Sequence, residues 1–250
     1  MKSLLRIPLA ACLAISFSGI AQAVADEKTV PLTRTAKEGD VVRYKATINA
    51  NVLGMDVVVT RKYKNTVKEI RKNGEIVVIQ KDEGTTISFG GMEQPPQDPT
   101  PDITEVRDKL GKLIEIKLPE AMGVFTPEVQ LLMARTSEPL FTDKPVKKDD
   151  TWQVELENPV VKGKKVTVKA AYLGSDKVDG KDLWKVKQSM EADTNSEAKK
   201  VSGEFTAWLD PDKGSTVKAE GSMKDLPISV NGAELLMSYT MKIETVKGDK

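Results

Sequence analysis

The sequence has 250 residues, with 38 Lys or Arg against 37 Asp or Glu, so its formal net charge is +1 at pH 7. It contains no His and a single Cys, Cys12. This composition excludes Ser-His and Cys-His nucleophilic catalysis, an internal disulfide and a Cys/His zinc site. The near-zero net charge gives no electrostatic reason to expect nucleic acid as a partner.

The first residues have the pattern of a secretory signal peptide. Two basic residues precede an apolar stretch from Leu9 to Ile20, and Ala21-Gln22-Ala23 supplies the small residues that signal peptidase requires. We therefore assign residues 1–23 to a signal peptide, with cleavage after Ala25 as a close second. The apolar stretch is shorter than the ~20 residues of a membrane-spanning helix. We expect a periplasmic or secreted protein whose mature chain has no transmembrane segment.

Leu9-Ala10-Ala11-Cys12 also resembles a lipobox, in which a lipidated Cys becomes the first residue of a bacterial lipoprotein. Cleavage there would leave only Leu4 to Ala11 as the hydrophobic segment, interrupted by Arg6 and Pro8. Most of the apolar stretch would then follow the cut. Export as a soluble protein is therefore favoured, with lipidation of Cys12 as the alternative.

Alternation of apolar and polar residues dominates the rest of the chain. It is clearest at residues 42–52, 152–156, 166–172 and 235–243. This period is typical of strands with one buried and one wet face, as in antiparallel sheets. We predict an all-β fold with one short helix, built as two similar lobes or as one continuous curved sheet. The apolar faces need a cover, which can be the other lobe, the helix or a bound apolar molecule such as a lipid.

Turn residues separate the predicted strands. Asn73-Gly74, Asp179-Gly180 and Asn231-Gly232 suit type I′ hairpin turns, in which both central residues have positive φ. The segment from Asp210 to Gly214 predicts a longer turn between two strands.

A helix is predicted near residues 127–136. Thr126 can cap its N terminus, Pro127 suits the first turn and Glu128 complements the helix dipole. Pro139 sets the limit of the helix at its other end.

The order of strands and turns occurs twice, which favours an internal duplication. Gly39-Asp40 opens a strand as Asp149-Asp150 does, and Asn73-Gly74 corresponds to Asp179-Gly180. We therefore divide the mature chain into a first β lobe at residues 24–138, which includes the helix, and a second β lobe at residues 139–250.

The two strand openers also carry a resemblance to a known family. Lys37-Glu38-Gly39-Asp40 matches an opener of the type lysine, x, glycine, aspartate, and Pro139-Leu140-Phe141-Thr142-Asp143-Lys144-Pro145 approximates a second motif that ends at Trp152. In these residues the chain resembles an uncharacterised family of exported β-rich bacterial proteins, a domain of unknown function. Asp149 stands where that family has Gly. The resemblance covers residues 37–246 and implies an exported β-rich protein without an established activity.

Carboxylates are the remaining acid–base groups of ordinary reactivity. Asp143 and Asp149-Asp150 are interpreted as turn residues, since adjacent strand residues point to opposite faces and Asp readily forms turns. Asp210 to Gly214 lacks the later ligands of a calcium loop, and Gly84 to Gly91 lacks the Lys-Ser/Thr of a phosphate-binding loop. The sequence thus predicts no catalytic residue, no metal ligand and no cofactor, and leaves the ligand-binding residues unknown.

The three Trp residues, Trp152, Trp184 and Trp208, are interpreted as packing residues rather than as the lining of a ligand groove. Trp208 is out of phase with Phe205 and Leu209 on its strand. We therefore predict that Trp208 is the most exposed aromatic side chain.

Two functions fit these observations. The favoured one is a non-enzymatic envelope protein that binds an apolar small molecule or a partner envelope protein. The apolar ligand would lie against the strands of Val42, Tyr44 and Ile48 and of residues 235–241, where Met side chains adapt to irregular shapes. A close-packed core is the competing interpretation of the same residues. The alternative function is a carboxylate-only hydrolase or lyase acting on envelope polysaccharide. Enzymes of this kind usually line their sugar site with aromatic side chains, and the low aromatic content of 5% does not favour this alternative.

The export assignment predicts a mature protein that begins at Val24 or Asp26. Intact-mass spectrometry of the protein isolated from its native envelope fraction should give one of these two masses. A mass corresponding to a chain that begins at acylated Cys12 would instead establish a lipoprotein.

Overall fold

The structure, a computed structural model, describes residues 29–95, 98–118, 125–195, 200–230 and 233–246. Within these ranges the chain forms one antiparallel sheet of twelve strands and one helix. This confirms the predicted all-β fold. Of the two predicted architectures, two similar lobes or one continuous sheet, the structure has the continuous sheet. The elements are β1 (Val41–Val52), β2 (Met55–Ile70), β3 (Ile76–Phe89), β4 (Met92–Glu93), β5 (Ile103–Arg107), β6 (Leu113–Lys117), α1 (Pro127–Thr136), β7 (Thr151–Glu157), β8 (Lys165–Val178), β9 (Lys181–Asp193), β10 (Lys200–Leu209), β11 (Thr216–Val230) and β12 (Ala233–Thr245).

The strands lie in the order β6-β5-β3-β2-β1-β12-β11-β10-β9-β8-β7, and β4 pairs with the end of β3. Both halves are meanders of neighbouring antiparallel strands. The pairing of β1 with β12 joins the two meanders, with Tyr44 opposite Thr245 and Ala50 opposite Tyr239. The predicted signal peptide and the predicted turn at Asn231-Gly232 lie outside the described residues.

Hydrogen bonds to one connecting segment require the sheet to curve strongly. The Phe141 N–H donates to Leu110 O in the β5–β6 turn over 2.8 Å, and the Leu140 N–H donates to Gln188 Oε1 on β9 over 3.0 Å. Seven strand intervals separate β5 from β9, which would place them about 34 Å apart in a flat sheet. Because adjacent residues reach both strands, the sheet must curl around this connector.

The helix forms where its capping residues predict it. Thr126 Oγ1 accepts a hydrogen bond from the Val129 N–H over 3.4 Å, and Pro127 occupies the first turn. Val129 and Leu132 are buried against the inner face of the sheet. The core on this side includes inward-facing residues of β7 to β12, namely Leu156, Val166, Val168, Met190, Ala192, Val201, Phe205, Met223, Leu226, Ile228, Met237 and Tyr239.

A second core surrounds the segments that lead into β1 and β7. These two segments meet in an isolated antiparallel bridge between Val30 and Val146. The buried members of this core are Val30, Leu32, Phe141, Val146, Tyr172, Val186, Ala207, Leu209 and Ala219. This end of the curved sheet is therefore closed by the chain itself.

Trp208 is buried, so the prediction that it is an exposed aromatic was wrong. Its ring lies beneath the ammonium groups of Lys185 and Lys218, which are 5.1 and 4.6 Å from the ring centre. Its indole N–H donates to Asp176 Oδ2 over 3.0 Å. Only 8% of Trp208 is exposed, because long cationic side chains can cover an outward-facing apolar ring.

Equivalent contacts at the two strand openers support the proposed duplication. The Lys37 N–H donates to Asp40 Oδ2 over 3.0 Å, and the Lys147 N–H donates to Asp150 Oδ2 over 2.9 Å. The strands that follow occur in the same order in both halves, with β1, β2, β3, β5 and β6 corresponding to β7 through β11.

Asp149 takes the conformation that Gly39 has in the first half. The φ angles are 84° at Gly39 and 69° at Asp149. The Gly39 N–H donates to Val67 O on β2 over 2.9 Å, and the Asp149 N–H donates to Tyr172 O on β8 over 2.7 Å. Asp is one of the side chains that tolerates this left-handed region, so the replacement of Gly preserves the turn.

The leading segment of each half contacts a turn in the other half. The Thr35 N–H donates to Lys213 O in the β10–β11 turn over 2.8 Å. The Phe141 N–H makes the corresponding bond to Leu110 O in the β5–β6 turn. The two halves are therefore tied together by an exchange of their leading segments.

Gly214→Ala is expected to destabilise the fold much more than Gly163→Ala. A Cβ at Gly214 would lie 2.1 Å from Thr33 O, so the leading segment would have to move. Gly163 also has positive φ, but a Cβ there meets nothing within 4 Å, and its replacement costs only the ~1–2 kcal/mol of a left-handed L-residue. In urea unfolding, Gly214→Ala should be at least about 2 kcal/mol less stable than Gly163→Ala. Equal losses would mean that the leading segment does not constrain this turn.

Candidate functional site

The inner face of β1, β2 and β3 carries a continuous apolar surface near the β1–β2 turn. In the sheet register, Ala50 lies opposite Val57 and Val57 opposite Phe89, while Ile48 lies opposite Val59 and Val59 opposite Ile87. Phe89 is 39% exposed and the other five residues are half-buried. We call these six side chains the apolar band: Ile48, Ala50, Val57, Val59, Ile87 and Phe89.

Two hollows lie at the same end of the sheet as this band. The larger has a volume of about 460 Å³ and lies between the start of α1 and the β11–β12 end. The smaller has a volume of about 100 Å³ and reaches Val52 and Leu53 in the β1–β2 hairpin. Ile228, Leu235 and Leu236 line both hollows. The larger volume lies within the range of small-molecule sites in proteins.

The residues that the sequence suggested as a ligand wall lie in two different places. Leu235 and Met237 line the hollows, and Ile48 belongs to the apolar band. Val42 and Tyr44 instead line a separate cavity of about 90 Å³ toward the closed end of the sheet.

Arg61 follows the apolar band on the inner face of β2. Its Nη1 donates to Gln80 Oε1 over 3.2 Å and its Nη2 donates to Thr100 Oγ1 over 3.1 Å. The guanidinium carbon lies 5.5 Å from the centre of the Tyr63 ring, a distance at which a cation is attracted to an aromatic face.

Asp82 is the buried anion beside this cation. Its side chain has no exposed surface, and its Oδ2 lies 3.6 Å from Arg61 Nε. Its carboxylate accepts hydrogen bonds from the N–H groups of Gly84 and Thr100 and from the Thr100 hydroxyl, at 2.9, 3.2 and 2.9 Å. Burial alone would raise the pKa of Asp82, but these hydrogen bonds and the Arg61 charge together hold its pKa below the usual range.

A second group of charges, of which Arg107 is buried and Arg34 and Glu138 are half-buried, holds the connector between α1 and β7. Glu138 forms an ion pair with Arg34 of the first leading segment. Arg107, which is 2% exposed, donates to Ala134 O at the end of α1 and to Gly111 O. Burial raises the pKa of Glu138, but the charges of Arg34 and Arg107 outweigh it, and the pKa is lowered. These groups position the connector.

The aspartates considered from the sequence are turn residues. Asp150 Oδ2 accepts from the Lys147 N–H, and Asp210 Oδ1 accepts from the N–H groups of Asp212 and Lys213 at 2.9 and 3.2 Å. Across the described ranges, no three His, Cys, Asp or Glu side chains are grouped so as to hold a metal ion. No helix in the same ranges is long and apolar enough to cross a membrane.

Sequence reasoning missed Arg61 and the larger hollow. One signal for Arg61 was available, because it interrupts the apolar phase of Val57 and Val59 on β2. The hollow had no such signal, since its walls come from residues near 126–129, 160, 194–195 and 227–236.

The fold and this face define an all-β protein with one curved antiparallel sheet, whose inner face is partly covered by helix α1. No family model matches the chain, and no curated protein matches it.

Three solved structures resemble parts of this architecture. A lipovitellin structure described by its lipid–protein interactions is 9% identical with a TM-score of 0.48, and the match covers 84% of this chain but 25% of that one. A DUF1329 family protein from Desulfovibrio piger is 11% identical with a TM-score of 0.23, covering 83% and 84% of the two chains. A domain assigned to outer-membrane lipoprotein sorting, from Vibrio parahaemolyticus, is 9% identical with a TM-score of 0.20, covering 83% of each.

The two bacterial likenesses do not assign the chain to the uncharacterised family that its sequence resembles. At these identities and TM-scores, none of the three likenesses decides the function, which must be argued from the inner face itself.

Asp82→Asn is expected to flatten the acid dependence of stability. Because the pKa of Asp82 in the folded protein lies below the ordinary value of an aspartate, the carboxylate stabilises the fold above that ordinary value and loses this effect as the pH falls through its folded pKa. Between about pH 5 and about pH 3, the free energy of unfolding should therefore fall less steeply in Asp82→Asn than in the unmodified protein.

The matched control is Asp182→Asn, at an exposed carboxylate on β9. Urea unfolding at each pH should give this variant the slope of the unmodified protein. If Asp82→Asn also kept that slope, the buried Arg61–Asp82 pair would not contribute to acid stability.

Proposed function

We propose that the protein is a non-enzymatic, exported envelope protein that binds an apolar ligand on the inner face of its sheet. The observation that carries this proposal is the presence of the 460 Å³ hollow and of the half-exposed apolar band at the same end of the sheet. Apolar surface gains about 25 cal/mol for each Å² removed from water. A ligand laid across the band and into the hollow would gain this free energy along its whole length.

The distribution of cover over the sheet supports this site. Val129 and Leu132 of α1 belong to one buried core with inner-face residues of β7 to β12, among which Val166 and Val168 are fully buried. None of the side chains of β2 is buried to the same extent. An inner apolar face requires a partner layer, and a bound apolar molecule would supply it for the band residues of β2 and β3.

The side chains around the hollows suit a ligand of irregular shape. Met237 lines the smaller hollow, and Met241 packs beside the core on the same strand. Met side chains are unbranched and adapt to different surfaces. A chain-like apolar molecule would therefore be accommodated without rearrangement of the sheet.

The interior carboxylates argue against the alternative of a carboxylate-only hydrolase. A general acid that works near neutral pH needs a raised pKa. The pKa values of Asp82 and Glu138 are both lowered, and each carboxylate pairs with an arginine. Their arrangement fits structural anchors rather than an acid–base pair.

Val160→Trp is expected to weaken binding of a fluorescent fatty acid by about tenfold or more. Val160 is half-buried at the wall of the 460 Å³ hollow, so the larger indole would occupy space that the ligand needs. The measurement is a fluorescence titration of the purified protein, with thermal unfolding as a check on folding.

The control is Ile114→Trp, because Ile114 is 49% exposed on β6. It should bind the probe as the unmodified protein does. A protein that binds no fatty acid, and that carries no lipid in native mass spectrometry when isolated from its own envelope fraction, would rule out the proposed function.

A further inference from the structure

The apolar band ends at one row of residues across three strands. Beyond the row of Ile48, Val59 and Ile87, the next inner-face row contains a cation, since Arg61 lies opposite Ala46 on β1 and Thr85 on β3. Arg61 is four residues from Val57, or about 13 Å along the strand. The inner face therefore combines a long apolar surface with a cation, paired with Asp82, at the inner limit of that surface.

Arg61 retains an unused hydrogen-bond donor. Its Nε is buried and has no hydrogen-bond acceptor among the described residues. The nearest carboxylate oxygen, Asp82 Oδ2, is 3.6 Å away, which is too long for a hydrogen bond. Leaving a buried charged donor unsatisfied is costly, so this N–H is suited to a ligand that brings an acceptor.

Arg61 and Asp82 form an ion pair without a hydrogen bond between them. Asp82 receives hydrogen bonds from Gly84 N and from both donors of Thr100, so its negative charge is already stabilised by three other groups. The guanidinium group is held in place by the Tyr63 ring and by Gln80. Its side chain keeps 20% of its surface exposed, and the small side chain of Ala46 lies directly across the strand pair.

We infer that the ligand is an amphiphile with an anionic head group, carboxylate or phosphate, which Arg61 binds while the apolar tail lies along the band toward the hollows. This inference rests on the proposed function and specifies the ligand of the same site. A carboxylate or phosphate oxygen supplies both the negative charge and the acceptor that Arg61 Nε lacks. A neutral head group supplies no charge, and a cationic one is repelled.

The first test compares three molecules with the same tail: oleate, oleyl phosphate and oleyl alcohol. Binding to the purified full chain is measured by displacement of a fluorescent fatty acid. Both anionic amphiphiles are expected to bind about tenfold or more tightly than the alcohol. The ratio between oleate and oleyl phosphate distinguishes a free fatty acid from a phosphate-bearing lipid as the source of the head group.

The second test removes the cation. Arg61→Met should reduce the affinity for the two anionic amphiphiles to that for oleyl alcohol, while the affinity for the alcohol itself is unchanged. Arg61→Lys, which keeps the charge but not the planar donor group, should restore part of the preference. The control is Arg43→Met, because Arg43 pairs with Glu83 and is partly exposed on the outer face of β1.

The outcomes separate this inference from the proposed function. Equal binding of all three amphiphiles by the unmodified protein, or an unchanged preference in folded Arg61→Met, would overturn the anionic head group and leave the apolar site in place. A complete lack of binding by the unmodified protein would overturn both. Thermal unfolding of each variant identifies loss of binding that is due to loss of folding.

Discussion

The curvature of the sheet depends on the buried amide of Gln188. Its Oε1 accepts from the Leu140 N–H over 3.0 Å and its Nε2 donates to Thr136 O over 2.9 Å, so both ends of the amide hold the connector against β9. The next residue, Phe141, bonds to the β5–β6 turn. A flat sheet would expose its apolar face, whereas one curled around this connector encloses an interior. The buried side chain of Gln188 thus helps to determine where the sheet has an inner face. Both ends of its amide must be hydrogen-bonded, because a buried amide with an unsatisfied group destabilises the folded state.

One helix cannot cover an interior of this extent. Helix α1 has ten residues, or about 15 Å, and its Val129 and Leu132 belong to the core formed with β7 to β12. Arg107 on β5 donates to Ala134 O near the C-terminal end of the helix, which ties the helix to this side of the sheet. The connector that curves the sheet therefore also positions the helix, so that the inner face near α1 is packed and the apolar band remains half-exposed. The proposed ligand site is this half-exposed band.

The local features of the fold could be predicted from the sequence, and the long-range ones could not. Alternation at residues 42–52 identifies a strand, and Thr126 with Pro127 identifies the helix start, because these patterns reflect neighbouring residues only. The curvature follows from a contact between Leu140 and Gln188, 48 residues apart, for which alternation carries no information. Trp208 was misjudged because its cover comes from lysines on two other strands. Arg61 is a third case. The sequence shows that it interrupts the apolar alternation of Val57 and Val59, but its role could be interpreted only once the structure placed it on the inner face of the sheet.

In the proposed duplication, the two halves have taken different roles. The matched contacts of Val67 and Tyr172 and the pairings of β1 with β2 and of β7 with β8 make Arg61 the counterpart of Val166, and Tyr63 the counterpart of Val168. Val166 and Val168 are fully buried in the core that includes Val129 and Leu132 of α1, so the inner face of the second half is apolar and covered by the chain itself. At the same positions the first half has a cation and an aromatic ring on a half-exposed face. A cation is costly beneath a packed helix but useful beneath a ligand that carries the opposite charge. The two valines of the second half suit a stable core, whereas Arg61 and Tyr63 of the first half suit a ligand-binding face. This difference is expected if one copy of the duplicated unit stabilises the fold and the other binds the ligand.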